Sequence, residues 1–537
     1  MYDCIIIGAG HNGLICANYL AQKGWRVLVV EKRHLVGGAC VTEEIGPGYK
    51  ASVASYVVSL LLPEIVDELE LKRHGYKTLA RNPSSFTPFE DGRHLFLGPD
   101  RKANHDEIAK FSRKDAEAFG KYEDFLERVA EAIEPALNMR SADLLPLPSS
   151  WRKISLGKRL RDFKLGWSLH KAVKGLGDAL PEAIELMTGS AKKILDYWFE
   201  SDELKGTLAT DAIIGTFQPC SAPGTAYVLL HHVMGSAGGA RGVWAYVEGG
   251  MGALSEAIAE SAKQKGVEIR LNDAIDQIQV TDGRVTGVRL QSGEVIKARR
   301  IASSVDPHLT FEKMMAPGHL PDNFKRAVSR IDYSSASAKI NLAVSELPDF
   351  TCLPGKDEVG PQHRGTIHIG ASPEYIERAY DDAKYGRPSQ HPIVEMTIPT
   401  SVDRTLAPDG HHILSLFVQY APYELAEGNW DDVKEEFADR CIAEIARYAP
   451  NVPDSILHRQ ILTPVDIERI FGLTGGNIFQ GSMCLNQLGP MRPVPGWSDH
   501  RTPIDGLYIC GSASHPGGGV MGSCGKNAAK EMLKDGK

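Results

Sequence analysis

A chain of 537 residues is long enough for two or three domains of ordinary size. Its 60 basic and 68 acidic residues give a formal net charge of −8, which excludes a global electrostatic pull toward nucleic acid. Nine cysteines stand singly, with no C-x-x-C and no metal-ligand spacing, and no apolar run approaches the length of a membrane span; this predicts reduced thiols, no metal and no spanning helix. No arginine-rich leader or apolar signal segment precedes the first predicted strand, so a cytoplasmic protein is expected, soluble or peripheral at a membrane surface.

Cys4 to Ile7 is a short apolar run that reads as a strand buried on both faces. Gly8, Gly10 and Gly13 follow as G-x-G-x-x-G: the first glycine turns the chain, the second lets backbone approach a pyrophosphate, and the third lets a helix pack closely on the sheet. That helix is predicted over Leu14–Lys23, with Leu14, Ala17 and Ala21 on its packed side and Gly24 as its stop. A second strand, Trp25–Val30, ends at Glu31, whose carboxylate would accept from the ribose hydroxyls of adenosine and repel a 2′-phosphate. The unit therefore asks for an adenine dinucleotide without that phosphate.

Residues from about 100 to 235 are mostly helix-patterned, with a proline-marked break at "LLPLPSS". Within "WRKISLGKRLRDFKLGWSLHKAVKGLG", the basic residues Arg152, Lys153, Lys158, Arg159, Arg161, Lys164, Lys171 and Lys174 face only Asp162. Leu156, Leu160, Phe163 and Trp167 recur at spacings of three and four, so a helix here carries an apolar stripe beside basic flanks. Such a stripe either meets an anionic lipid surface, through residues 151–177, or packs on the rest of the chain. The histidine pairs 231–232 and 411–412 have no third partner and read as packed or surface residues.

Nucleotide-domain texture returns at "EGGMGAL", which opens a helix, and continues through short strands joined by Asp-Gly and Ser-Gly turns to "RIASSVDP". From about 311 to 500, strands such as "AKINLAVSEL", "PIVEMTIP" and "HHILSLFVQYAP" mix with helices. The end, "GLYICGSASHPGGGVMGSCGKNAAKEML", is a buried strand, a glycine loop and a helix. A nicotinamide site would be complete in the amino-terminal half, so a second glycine loop at the far end favours FAD. The start of that helix would hold flavin oxygens.

The Gly37-Gly38 doublet, the "GGMGAL" turn, "GGNIFQG" and "SASHPGGGVMG" resemble the phytoene-desaturase-like flavoproteins, and within them the pyridine nucleotide-disulphide oxidoreductase domain-containing protein 2 group. The resemblance implies an α/β fold: a glutathione-reductase-type Rossmann FAD-binding domain from 1–75, 240–310 and 500–537, interrupted by a mixed-sheet and helical substrate domain from 76–239 and 311–499, with 110–235 as a helical cover. It implies FAD contacts from Gly8, Gly10, His11, Asn12, Gly13, Glu31, Lys32, Gly37, Gly38, Ala39, Thr42, Gly511, Ser512, Gly519, Val520 and Met521, with Ile275 or Ile278 at the adenine edge. The group's name suggests disulphide chemistry. The position where a partner for Cys40 would stand is Ile45, and no second dinucleotide unit follows, so thiol-disulphide exchange is not expected.

The expected function is hydride removal by non-covalent FAD from a largely apolar substrate of isoprenoid type, leaving a double bond, with oxygen, a quinone or a protein as electron acceptor. A flavin amine oxidase and a flavin-binding regulatory or membrane-docking protein with little turnover are the alternatives. Two residues are candidates for catalysis. Lys339 stands in an apolar strand that by pattern resembles the lysine-bearing strand of amine oxidases, although an edge lysine reaching solvent would look the same. His515 stands in the loop that the resemblance puts beside the flavin, where it either acts or caps a Pro-Gly turn.

Overall fold

The structure is a computed structural model and describes residues 1–536 apart from 146, 149, 150, 153 and 238–241. The first strand, Tyr2–Ile7, is buried from Cys4 onward and pairs in parallel with Val27–Val30 on one side and Val295–Ser303 on the other. Glu268–Arg270 adds in parallel beside Val27–Val30. The long strand Val295–Ser303 changes partners along its outer edge: its first residues close an antiparallel meander with Ile275–Thr281 and Arg284–Leu290, and its last three pair in parallel with Leu507–Ile509. Strands from three distant stretches of chain thus make one sheet.

The first helix runs His11–Ala21, one turn earlier than its apolar pattern predicts, because Gly10 already takes the N-cap position. It packs between Met251–Gln264 and Ser523–Lys534 and is buried on nearly every side. A Cβ on Gly13 would stand 2.4 Å from the carbonyl oxygen of Gly8, so only glycine permits this approach of helix to strand.

A second, mixed sheet takes strands in the order Ile456–Leu462, Ser337–Val344, His412–Gln419, Ile393–Thr397, Thr366–Ile369, Ser85–Pro88 and His94–Leu97. Ser337–Val344 is buried at every position, as an inner strand requires. Helix Trp430–Ala446 covers one face. Among the described residues, the helices between Arg113 and Val233 form a separate cluster that reaches Ile393 and Tyr420. The architecture is mixed α/β, with a large cavity lined from both sheets and from the helical cluster.

Candidate functional site

The cavity, of about 880 Å3, begins at Gly8, Gly10, His11 and Asn12. Gly10 pairs with Gly37 as an isolated parallel bridge, and the N–H of Gly37 donates to the carbonyl of Ala9 at 2.8 Å. Gly10 has no side chain to cap the helix, so the first-turn N–H groups are left to an anion at the cavity wall. Glu31 ends the second strand and is buried. Its Oε2 accepts from the N–H of Ala9 at 2.8 Å and its Oε1 from that of Arg33 at 2.9 Å, which fixes the carboxylate beside the loop. Phosphate-facing backbone and an oriented acid in this order fit an adenine dinucleotide.

Lys32, Gly37, Gly38, Ala39 and Ile275 also line the cavity, as do Ser512, Gly519 and Val520 from the end motif. Asn12 ties the two ends together: its Nδ2 donates to Ser512 Oγ at 3.2 Å, and its Oδ1 accepts from the N–H of Gly525 at 3.3 Å. Arg492, fully buried, donates to the carbonyls of Phe479, Gly481, Gln487 and Ser512 and so joins "GGNIFQG" to the end motif.

Six expected site residues lie off the cavity wall. Gly13 sits behind the loop, as its packing role requires. Thr42 Oγ1 accepts from the N–H of Gly252 at 2.9 Å, so this threonine braces the "GGMGAL" turn. Ile278 is sunk in an apolar cluster with Phe311 and Met315. Gly511 packs under Ser304, whose carbonyl oxygen would be 2.3 Å from a Cβ there. Met521 joins the helical cluster, and its carbonyl accepts from Leu62. The start of the last helix is likewise enclosed: a Cβ on Gly522 would meet Ile65 and Ile15, so the end motif reaches the cavity through residues 512, 519 and 520 and not through its helix. His515, the sixth, turns its Nε2 to the carbonyl of Ala136 at 3.1 Å and is buried outside the lining, where burial lowers its pKa to about 4.

Lys339 lines the cavity and is 2% exposed. Its Nζ donates to Ser415 Oγ and to the carbonyl of Leu416, and stands 4.5 Å from the centre of the Tyr56 ring. Burial lowers its pKa to about 7, so the amine is divided between neutral and charged forms near neutrality. An edge lysine reaching solvent would show neither feature.

Past Tyr56 the cavity wall holds further polar groups. The Tyr56 hydroxyl donates to Glu395 Oε2 at 3.3 Å. Burial and the nearby Asp211 push Glu395 up to about 8. Arg81, 3% exposed, donates through Nε to the carbonyl of Trp244 at 3.0 Å and through Nη1 to Thr366 Oγ1 at 2.9 Å. His368 shares a hydrogen bond with Thr210, and both His231 and His232 line the wall. Glu395 carried the same signal as Lys339, a charge inside the apolar run "PIVEMTIP".

All nine cysteines are free, and Cys40 is buried with its thiol pushed up to about 11, far from the reactive thiolate a disulphide reductase needs. Among the described residues no cluster of His, Cys, Asp and Glu could hold a metal, and no helix is long and apolar enough to cross a membrane.

The profile of the family described as flavin containing amine oxidoreductase matches residues 13–533. Pyridine nucleotide-disulfide oxidoreductase domain-containing protein 2 of Rattus norvegicus is 49% identical, the alignment covering 99% of this chain and 94% of that one. A limonene dehydrogenase chain of Castellaniella defragrans is 27% identical, covering 99% and 94%. Among solved structures, wild-type putrescine oxidase bound to putrescine is similar with a TM-score of 0.61 at 18% identity, covering 99% of this chain and 98% of that one, a likeness of fold. The profile runs from inside the first glycine loop to the last helix and so takes in both ends of the cradle: the chain belongs to the flavin-containing amine oxidoreductase family, and its cofactor is a flavin.

Proposed function

We propose that the protein is an FAD-dependent dehydrogenase that introduces a double bond into a largely apolar substrate of isoprenoid type, with FAD held non-covalently. The observation that carries this reading is the continuity of one cavity from the Glu31 cradle to Lys339, with Phe119, Leu126, Leu208, Ile214, Leu229 and Phe417 among its walls. When bound, FAD supplies the hydride acceptor. One carbon of the substrate loses a hydride, its neighbour loses a proton, and the remaining electron pair becomes the new bond.

Lys339 is the group we assign to the proton. In its neutral form the amine can take a proton from the neighbouring carbon, while Ser415 and Leu416 fix its position. The apolar walls exclude water around it. The dehydrogenase name of the limonene relative favours this reading; oxidation of an amine is the second, favoured by the family profile and by the putrescine oxidase likeness. Anaerobic mixing of the FAD-loaded protein with apolar alkenes, isoprenoids and amines separates them: bleaching of the flavin by an isoprenoid, with a product two hydrogens lighter, supports dehydrogenation, and bleaching by amines alone overturns it.

A further inference from the structure

We infer that the end of the cavity beyond Lys339 is a head-group site for a hydroxyl carried by an otherwise apolar substrate, held by Glu395, Asp211 and Arg81. This rests on the dehydrogenase reading and names the substrate more closely. Glu395 and Arg81 are each 3% exposed, and Glu395 Oε1 is buried with no hydrogen-bond partner. Tyr56, Arg81 and His368 already have protein partners, but a pure hydrocarbon pressed against this wall would leave the buried Glu395 Oε1 with none. That one unpartnered oxygen, on a cavity wall shared with Asp211 and Arg81, calls for a polar group on the ligand.

The charges select its kind. Burial raises both carboxyls: Glu395 is pushed up to about 8 by burial and by Asp211, while the charges of His232 and Arg81 oppose the rise at Asp211, so of the two Glu395 is the one that holds a proton. His368 is held neutral by burial beside Arg81. An ammonium group would meet Arg81, and a carboxylate would meet Asp211. A hydroxyl suits both, donating to the Asp211 carboxylate and accepting from Glu395 or Arg81. Tyr56 spaces this site from the reaction end, since one face of its ring meets Lys339 and its hydroxyl meets Glu395. The reacting carbons then lie several bonds from the hydroxyl.

Saturated ligands of one chain length test this. The FAD-loaded protein is titrated anaerobically with an alkane, a primary alcohol, an amine and a carboxylic acid of equal chain length, and binding is read from the flavin spectrum. The alcohol is expected to bind about ten-fold tighter than the alkane. Glu395→Leu and Arg81→Met should each erase that preference with flavin content unchanged, and Glu395→Gln should keep part of it. Equal binding of alkane and alcohol, tighter binding of the amine or acid, no binding by any ligand, or a preference untouched by the variants overturns the assignment. Binding shifts the band of the oxidised flavin whereas turnover bleaches it, so a failed head-group site is distinguishable from a failed dehydrogenase.

Independently, we propose that helix Leu156–Lys174 docks on an anionic lipid surface. Leu156, Leu160, Phe163 and Trp167 are 74%, 56%, 62% and 53% exposed, and they lie on one stripe. Phe163, Trp167 and His170 stack in sequence along it. The buried side of the helix is instead ionic: Lys158 pairs with Asp143 and Asp162, and Asp162 also accepts from Arg140. Around the stripe Arg159, Arg161, Lys164, Lys171 and Lys174 are exposed. A second copy meeting this face in two-fold fashion would set these cations against one another, whereas anionic headgroups complement them.

The probe is sedimentation with phosphatidylcholine vesicles, with or without phosphatidylglycerol. Binding only to the anionic vesicles, weakened by salt, is expected. It should fall several-fold in Phe163→Ser with Trp167→Ser, and in Arg159→Glu with Arg161→Glu, flavin content being unchanged. No binding at low salt, equal binding of wild type and variants, or a dimer that Phe163→Ser dissolves would overturn the proposal.

Discussion

Asn12 and Ser512, 500 positions apart, are joined by a hydrogen bond of 3.2 Å that closes the cradle between the first and last glycine motifs. Asn12 also accepts from the N–H of Gly525, so its amide fixes the final motif against the first helix. Asn12→Ala removes both bonds, worth about 1–2 kcal/mol together. We predict FAD affinity lowered by about ten-fold, read by flavin fluorescence on titration, with a circular dichroism spectrum like that of wild type.

Gly10 and Gly13 separate cofactor contact from fold. Gly10 has φ of −64°, and the nearest atom to a Cβ there is 3.6 Å away, so the backbone accepts a side chain. Gly10→Glu should therefore fold and bind no FAD, because its carboxylate takes the phosphate position. Gly13→Ala, with its Cβ 2.4 Å from the Gly8 oxygen, should instead lose stability. Thermal melts of the flavin-free proteins distinguish the two.

Lys339→Met should leave flavin content unchanged and slow anaerobic flavin reduction by about 10²-fold or more. The lysine pKa is lowered in the folded protein to about 7, so the neutral amine prevails above that value and is lost as pH falls through it. The wild-type reduction rate should then decline below about pH 7, with Tyr56 and Ser415 the groups facing the amine and Glu395 beyond Tyr56. A profile unchanged in Lys339→Met would remove the lysine from the chemistry.

The inner side of helix Leu156–Lys174 predicts an unusual stability pattern. Lys158→Ala leaves Asp143 buried without its cation, Asp162 keeping Arg140, and should cost about 3–5 kcal/mol, whereas exposed Arg159→Ala should stay within about 0.5 kcal/mol. Burial alone would raise Asp499, but Arg152, Lys158 and Arg501 hold it well below the usual carboxylate range. Its contribution is present above the unfolded value near 4 and is lost as pH falls below that, so urea midpoints should drop steeply in acid and less so in Asp499→Asn.

The first forty residues were legible because strand, glycine loop, helix and acid are a local code, and each fell within a turn of its expected place. Lys339 was legible for another local reason, a charge in an apolar strand. Arg81 and Asp211 were not: they reach the cavity only because Ser85–Pro88 pairs with Thr366–Ile369 and the helical cluster leans on that edge, a contact no local pattern records. Thr42, Met521 and His515 lie off the cavity wall because a motif gives nearness along the chain and not the direction of a side chain. The basic helix shows the same limit. Its period was visible, but which face is inside was decided by Arg140, Asp143 and Asp499, residues outside it; Lys158 and Arg152 are therefore structural cations, opposed by more than Asp162, while Lys153 lies outside the described residues.

Dehydrogenation at a flavin beside Lys339 stands or falls on anaerobic stopped-flow mixing of the FAD-loaded protein with an unsaturated isoprenoid alcohol, with product mass measured. The flavin band should bleach, and the product should be lighter by two hydrogens with one further carbon–carbon double bond. A flavin that stays oxidised with every apolar substrate, or one reduced only by amines, would contradict it.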